Sequence, residues 1–190
     1  MCIRDSLIYW RALFDLPRHG ARWDLGGFLI LLHHARGYAR RSLSRYSAAY
    51  EKDMTNIPET YAPHFRKSAF TDPWEPLYSR VSPSHVSLGT VLRDAHCNSR
   101  GIIHGGFISA IADNAMGLTC VAQMKTDGRS VKSLVTVNLS VDFTGMAKIG
   151  DWIFTESEIV KIGGSLGFVR CQLKTPEVIV ARANATFKIA

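Results

Sequence analysis

The sequence predicts an α+β fold in which an antiparallel sheet wraps around one long helix. Two observations lead to this prediction. Residues 105–124 form an apolar run with the length and composition of a buried helix. Four runs rich in β-branched and aromatic residues follow it, separated by short turns. Strands joined in this way pair as an antiparallel sheet, and the helix is the element available to cover it.

The elements follow one another in a simple order. Residues 55–80 contain four prolines and are predicted as loop and short helix. Residues 85–93 alternate enough to form a strand, and a glycine-containing loop at residues 98–103 leads into the helix. Apolar residues surround the helix on most sides, which predicts burial on most sides. The four predicted strands after it are residues 131–143, 152–162, 166–174 and 178–189.

Basic residues are unevenly distributed along the chain. The formal net charge of +7 would by itself suggest a nucleic-acid or membrane-surface partner. Residues 1–53 hold nine basic and five acidic side chains, a net charge of +4, whereas residues 54–190 have a net charge of +3. This second part shows no basic stripe at helical spacing, so we expect no nucleic-acid partner.

A change in composition at Met54 divides the chain into two predicted parts. Residues 1–53 show no sustained hydrophobic period, and their opening hexapeptide resembles translated adapter sequence. From Met54 the chain becomes polar and contains prolines, which suits the beginning of a domain. We predict an N-terminal extension at residues 1–53, peripheral or non-native, and a domain at residues 54–190.

Cysteine spacing and hydropathy indicate the compartment. The four cysteines are far apart and form no CxxC pair, so neither a zinc site nor a disulfide framework is indicated. We therefore expect a reducing compartment, the cytoplasm, and no metal. The apolar run from Phe28 to Leu32 is far shorter than the roughly 20 residues of a membrane helix, so no membrane partner is expected.

The residues with the clearest chemical potential lie at the start of the helix. A polar loop that begins at Asn98 leads through His104, Gly105 and Gly106 into the apolar run. Glycines allow a ligand to approach the backbone closely, and the first N–H groups of a helix have no intrahelical partner. The helix dipole favours negative charge at the same place. This pattern predicts an oxyanion site for a carbonyl under attack.

Asp113 is an acidic residue in the most apolar part of the chain. A buried carboxylate is costly unless it is paired, so Asp113 has either a structural partner on a neighbouring strand or loop, or a chemical role. It lies eight residues beyond Gly105, roughly 12 Å along the helix. At that separation Asp113 does not reach the Gly105 N–H of its own helix. If both act on one reacting group, Gly105 comes from another subunit, which predicts a homodimer with interfacial sites.

These residues together resemble the hotdog-fold thioesterases, specifically the acyl-CoA thioesterases of the phenylacetate-degradation type. The resemblance covers about residues 80–190 and rests on the ordered pattern N-x-x-G-x-x-H-G-G-x-x-x-x-x-x-D, which begins at Asn98 and ends at Asp113. VTVNLSVDF at residues 135–143 and KIGD at residues 148–151 continue it. The resemblance implies a hotdog fold, hydrolysis of acyl-CoA to free acid and coenzyme A, and a homodimer or homotetramer. It implies no cofactor, since coenzyme A is part of the substrate.

The resemblance also implies roles for four catalytic residues. Asp113 of one subunit would act as nucleophile or general base at the thioester carbon, and the Gly105 N–H of the other subunit would polarise the carbonyl. Asn98 would orient that carbonyl or the water. Thr136 occupies the position of a Ser or Thr that steadies the water or the carboxylate.

His104 and Gly106 are predicted to bind substrate at the helix start. For His104, a purely structural hydrogen bond is an equally supported alternative. Two other functions stay open. A hydratase or dehydratase acting on acyl thioesters would pair His104 with the acid. A non-catalytic acyl-CoA-binding protein would use Asp113 merely to hold the helix to the sheet.

Overall fold

The computed structural model describes residues 57–190, and its central element is the helix Gly105–Thr126. The predicted α+β fold is confirmed, with an antiparallel sheet packed around this helix. Two short 3-10 helices, Asp72–Trp74 and Asp94–His96, precede it. In the described part of the chain the strands are β1 Ala62–Pro63, β2 Tyr78–Ser82, β3 His85–Val91, β4 Leu134–Phe143, β5 Trp152–Ile162, β6 Leu166–Lys174 and β7 Ile179–Ile189.

The strands form one sheet in the order β1-β2-β3-β5-β6-β7-β4, with every neighbouring pair antiparallel. Strand β4 follows the helix in sequence yet lies at the edge, where it pairs with β7. Its register sets Thr136 opposite Phe187. Directly opposed residues in an antiparallel pair point to the same face. Thr136 therefore shares the helix side of the sheet with the buried Phe187.

Alternation along the strands gives the sheet its two faces. In β6, Val169, Cys171 and Leu173 are buried, whereas Arg170 between them is exposed. Strand β7 repeats this pattern with small buried alanines that let the helix approach closely. The apolar face packs on the helix and the charged face lies on the outside.

The helix is fully buried on one broad face and half-buried over most of the other, so the predicted buried helix is confirmed, with full burial limited to one face. Nine of its residues are buried: Phe107, Ile108, Ile111, Ala112, Ala115, Met116, Thr119, Cys120 and Met124. The face that carries Gly106, Ala110 and Asp113 is exposed or half-buried. Among the described residues, this is the one helix long and apolar enough to cross a membrane, judged by length and composition alone.

The segment before β3 contains more sheet than the sequence indicated. Strands β1 and β2 lie within residues 55–80, which were predicted as loop and short helix, apart from the last two residues of β2. Pro76 and Pro83 flank β2, and Ser79 is its one buried residue, so little hydrophobic alternation marks it as a strand. The predicted extension at residues 1–53 lies outside the described residues.

Candidate active site

The loop before the helix is held by backbone hydrogen bonds to a second turn, between β4 and β5. The Ile103 N–H donates to the Ala147 carbonyl at 2.9 Å, and the Ile149 N–H donates to the Gly101 carbonyl at 3.2 Å. Gly101 and Gly150 have φ angles of +69° and +91°, the left-handed region that favours glycine. The two turns brace each other and fix the position of the helix start.

Asn98 closes this loop with its side chain. Its Oδ1 accepts hydrogen bonds from the N–H groups of Arg100 at 2.9 Å and Ile102 at 3.3 Å. Its backbone N–H also donates to the Ile102 carbonyl at 2.8 Å. Among the described residues, the side-chain NH₂ of Asn98 has no hydrogen-bond partner. Asn98 therefore orders the loop through its oxygen and leaves its amide donors available to a ligand.

His104 caps the helix. Its Nδ1 accepts a hydrogen bond from the Gly106 N–H at 2.9 Å, so this nitrogen carries no proton. A Cβ on Gly106 would lie 3.0 Å from the same nitrogen, which accounts for the glycine by packing within the chain. His104 is not paired with Asp113 inside one chain, since its Nδ1 is used by the cap and the two residues lie more than two turns apart.

The Gly105 N–H is a free donor at the positive end of the helix. In the part of the chain that the structure describes, it makes no hydrogen bond. A Cβ on Gly105 would lie 3.2 Å from Cζ of Phe143, whose ring packs against the helix start. The free donor and the helix dipole together can stabilise an oxygen that becomes negative.

Asp113 and Thr136 form the second part of the site. The Thr136 hydroxyl donates a 2.8 Å hydrogen bond to Oδ1 of Asp113. The expectation that Asp113 is buried was wrong for a single chain, because the residue is half-buried and faces the open side of the helix. The contact with Thr136 is compatible with both roles considered for Asp113, a strand partner that holds the helix and a support for a reactive carboxylate.

A shallow open cleft of about 470 Å³ surrounds the Asp113 carboxylate. Residues 106, 109, 110, 113 and 114 line it at spacings of three and four, which place them on one helical face. This spacing is a signal that sequence analysis could have used to find Ser109, Ala110 and Asn114. Thr136 and Leu139 of β4, together with Phe70, complete the lining. No sequence pattern pointed to Phe70, because its segment has no periodicity.

Apart from Gly106, which lines the cleft with Asp113, the predicted site residues fall into two groups that one chain does not bring together. His104 and Gly105 lie at the helix start with the Asn98 loop before them, and Asp113 and Thr136 meet about 12 Å further along the same helix. A thioester group is only a few bond lengths across. The two groups of one chain therefore act at different places.

His96 is a buried structural histidine beside the site. Its Nδ1 accepts from the Arg93 N–H at 3.1 Å, and its Nε2 donates to the Trp74 carbonyl at 2.9 Å. The ring stacks on Phe107 of the helix with centroids 4.5 Å apart. Burial lowers the pKa of His96 from 6.5 to about 4, so the ring is neutral at pH 7.

A larger concavity of about 800 Å³ lies on the outer face of the sheet. Its lining is charged, and charges of both signs are present, as in the ion pair between Arg170 and Glu158 at 2.7 Å. It includes neither Asp113 nor the helix start. We therefore assign the candidate site to the smaller cleft.

Comparison with known proteins shows similarity to thioesterases and to an esterase. The family model of the thioesterase superfamily matches residues 100–181. A Pseudomonas aeruginosa protein named "Putative esterase" is 33% identical over 138 residues, which cover 72% of this chain and 99% of that protein. Mouse acyl-coenzyme A thioesterase 13 is 27% identical over 108 residues, 56% of this chain and 74% of the relative.

Solved structures of thioesterases are also similar in fold, as one example shows. The hypothetical thioesterase protein with coenzyme A from Streptococcus pneumoniae has a TM-score of 0.55 and 20% identity. The match covers 62% of this chain and 90% of that one.

Proposed function

Because this chain belongs to the thioesterase superfamily, a family of hotdog-fold hydrolases, we propose that it hydrolyses acyl-CoA thioesters to a free acid and coenzyme A. The observation that carries the proposal is the Asp113 carboxylate, held by Thr136 in an open cleft on a helix whose opposite face packs in the core. The name of the mouse relative and the coenzyme A found with the Streptococcus protein support the choice of substrate.

The carboxylate supplies the base for hydrolysis. Asp113 takes a proton from a water molecule while the water oxygen attacks the thioester carbon. The carbonyl oxygen becomes negative in the tetrahedral intermediate. The C–S bond then breaks, the thiolate of coenzyme A leaves, and the proton held by Asp113 neutralises it. The hydrogen bond from Thr136 keeps the carboxylate in one orientation throughout.

The negative oxygen needs a fixed donor, and the free Gly105 N–H of the same chain lies about 12 Å from Asp113 along the helix. We propose that the Gly105 N–H of a second subunit is this donor, with the free amide of that subunit's Asn98 beside it. A fixed backbone donor of this kind stabilises the developing charge without reorganisation. The functional unit is then a homodimer, or a tetramer built from such dimers, with each site shared between two subunits.

The exposed edge of the sheet supports this assembly. Val135, Val137 and Phe143 of β4 are each 57% exposed, an unusual number of large apolar side chains for one edge strand. A second copy that covers β4 would bury them and approach the cleft beside Thr136. We also propose a cytoplasmic location without a cofactor, which fits the free thiols of Cys97, Cys120 and Cys171.

Thiol release from a panel of acyl-CoAs tests the reaction. Wild type is expected to release coenzyme A, and Asp113→Ala is expected to lose this activity while it keeps its melting temperature and oligomeric state. Retained activity in Asp113→Ala would contradict the assignment of the base. A wild type that releases no thiol from any acyl-CoA would contradict the proposed function.

Subunit complementation tests the shared site. Asp113→Ala subunits keep the helix-start donor, and Gly105→Pro subunits keep the carboxylate but lose the N–H. Each variant alone is expected to be inactive. An exchanged equimolar mixture would regain about a quarter of wild-type activity, because half of the dimers carry one intact site of two. No recovery despite proven subunit exchange would contradict the shared site.

Labelled water distinguishes a base from a nucleophile. In a single turnover in H₂¹⁸O, a general base sends the label into the product acid. A nucleophilic Asp113 forms an anhydride with the acyl group, and water attack at the aspartyl carbon then leaves the label in the Asp113 carboxylate. Mass spectrometry of the product and of the peptide that contains Asp113 separates the two routes.

A further inference from the structure

Phe70 has a large apolar side chain that is exposed to solvent although neighbouring aromatic rings hold it in place. Its ring is 67% exposed and lines the same cleft as Asp113. It meets the Trp74 ring edge to face, with centroids 4.8 Å apart, and Trp74 in turn meets Phe107 at 5.2 Å. The support holds the Phe70 ring near the first turn of the helix.

The backbone beneath Phe70 is fixed as well. The Thr71 N–H donates to the Ser68 carbonyl at 2.9 Å, and the hydroxyls of these two residues lie 3.0 Å apart. The Trp74 carbonyl accepts from the buried His96 ring. The ring of Phe70 is therefore presented by a braced turn, and little ordering is needed when a ligand packs against it.

The cleft has a polar end and an apolar end. Asp113 and Thr136 mark the polar end, whereas Ala110, Leu139 and Phe70 offer carbon surface. Along the helix, Gly106 and Asp113 are seven residues apart, about 10 Å. Phe70 lines the cleft together with Gly106. We expect an acyl group of several carbons to extend from Asp113 toward that end of the cleft, and a two-carbon acetyl group to fall short of it.

We propose that Phe70, supported by Trp74, is the residue that determines acyl specificity, and that it selects apolar acyl groups long enough to reach its ring. This inference rests on the proposed thioester hydrolysis and names the chemical class of its substrate. Polar or charged acyl groups would gain no binding energy from the apolar ring of Phe70. Continuity with the Asp113 cleft is what identifies the occupant as the acyl group.

The test is a set of kcat/KM values for acetyl-, hexanoyl-, octanoyl- and phenylacetyl-CoA, measured on the full chain by thiol release. Wild type is expected to prefer the longer apolar substrates. Phe70→Ala is expected to lower their kcat/KM relative to acetyl-CoA by about tenfold or more, since it removes an apolar contact that only they make. Comparison of the hexanoyl-, octanoyl- and phenylacetyl-CoA values shows whether alkyl or aryl groups contact the Phe70 ring. Phe70→Leu is expected to have a preference between those of wild type and Phe70→Ala.

Phe65→Ala is the matched control, because Phe65 is 62% exposed in the same segment and does not line the cleft. It is expected to keep the wild-type preference. An unchanged preference in Phe70→Ala, or an equal loss for every substrate with an altered oligomeric state, would overturn the inference and leave the proposed function standing. A wild type that hydrolyses none of the four would overturn both.

Discussion

Oγ1 of Thr136 lies 2.8 Å from Oδ1 of Asp113 and joins the edge strand β4 to the middle of the helix. The bond uses one carboxylate oxygen, and the other makes no hydrogen bond to any described residue. It also links the position of the proposed base to the strand that we expect a second subunit to cover.

Thr136→Ala should lower kcat for acyl-CoA hydrolysis by about ten- to a hundredfold, since a hydrogen bond to a charged group contributes roughly 1.5–3 kcal/mol. Thr136→Ser keeps the hydroxyl and should retain most of the activity. Steady-state kinetics on both variants provide the measurement. If the alanine variant turned over as fast as the serine variant, the hydroxyl would have no part in the reaction.

Gly105→Pro should lower kcat by about 10²-fold or more, because it removes the N–H that we assign to the oxyanion. Proline is tolerated at the first position of a helix, and His104 has the extended backbone that a following proline requires (ψ of 133°). Gly105→Ala introduces the same Cβ beside Phe143 but keeps the N–H, so it controls for packing. Equal activity of the two variants would mean that the N–H is not used.

Asn98→Ala should lower the free energy of unfolding by about 1–2 kcal/mol, because two loop N–H groups lose their acceptor. Turnover should fall as well. Asn98→Asp keeps an oxygen for the loop and removes the amide donors, so it should be nearly as stable as wild type and still slow. Urea unfolding and thiol release separate the two effects, and a fully active Asn98→Asp would assign Asn98 to the loop alone.

The buried His96 should make stability depend on pH. Its pKa is about 4 in the folded chain and 6.5 as its ordinary value, so the unfolded chain binds the proton first as pH falls. Stability is therefore fully present above about pH 6.5 and declines toward pH 4, by an amount on the order of 3 kcal/mol. Urea unfolding at several pH values measures the slope.

His96→Gln is the control for that slope. Burial also lowers the pKa values of His64 and His85, so part of the pH dependence has other origins. The variant should be less stable at pH 7 but should lose stability less steeply between pH 6.5 and 4. Parallel slopes for wild type and variant would show that His96 does not titrate on unfolding.

The sequence predicted the helix and the strands after it well, since β5 and β6 have the bounds expected from their β-branched runs. These elements bury one face each, and burial leaves a hydrophobic period in the sequence. Strand β2 buries almost nothing and leaves no such signal. The hydrophobic pattern of the sequence therefore predicted strands β3 to β7 and missed β1 and β2, at the edge of the sheet opposite β4.

The site was predictable where it depends on one local element and not where it depends on tertiary contacts. Both glycines at the helix start were found, but their reasons were not, because the His104 imidazole and the Phe143 ring that crowd them are visible only in three dimensions. Phe70 is held beside the cleft by its ring contact with Trp74 and by the hydrogen-bonded turn beneath it. Residue spacing in the sequence does not indicate either contact.

The eight-residue separation of Gly105 and Asp113 on one helix sets their angle about the helix axis as well as their distance. Each residue turns the helix by about 100°, so deleting one residue between them would swing the carboxylate away from Thr136 and into the core face. A single inserted residue would turn the carboxylate by about 100° in the opposite direction, toward the position of Asn114, and would also move it away from Thr136. This stretch should therefore accept changes of side chain far more readily than any change of length.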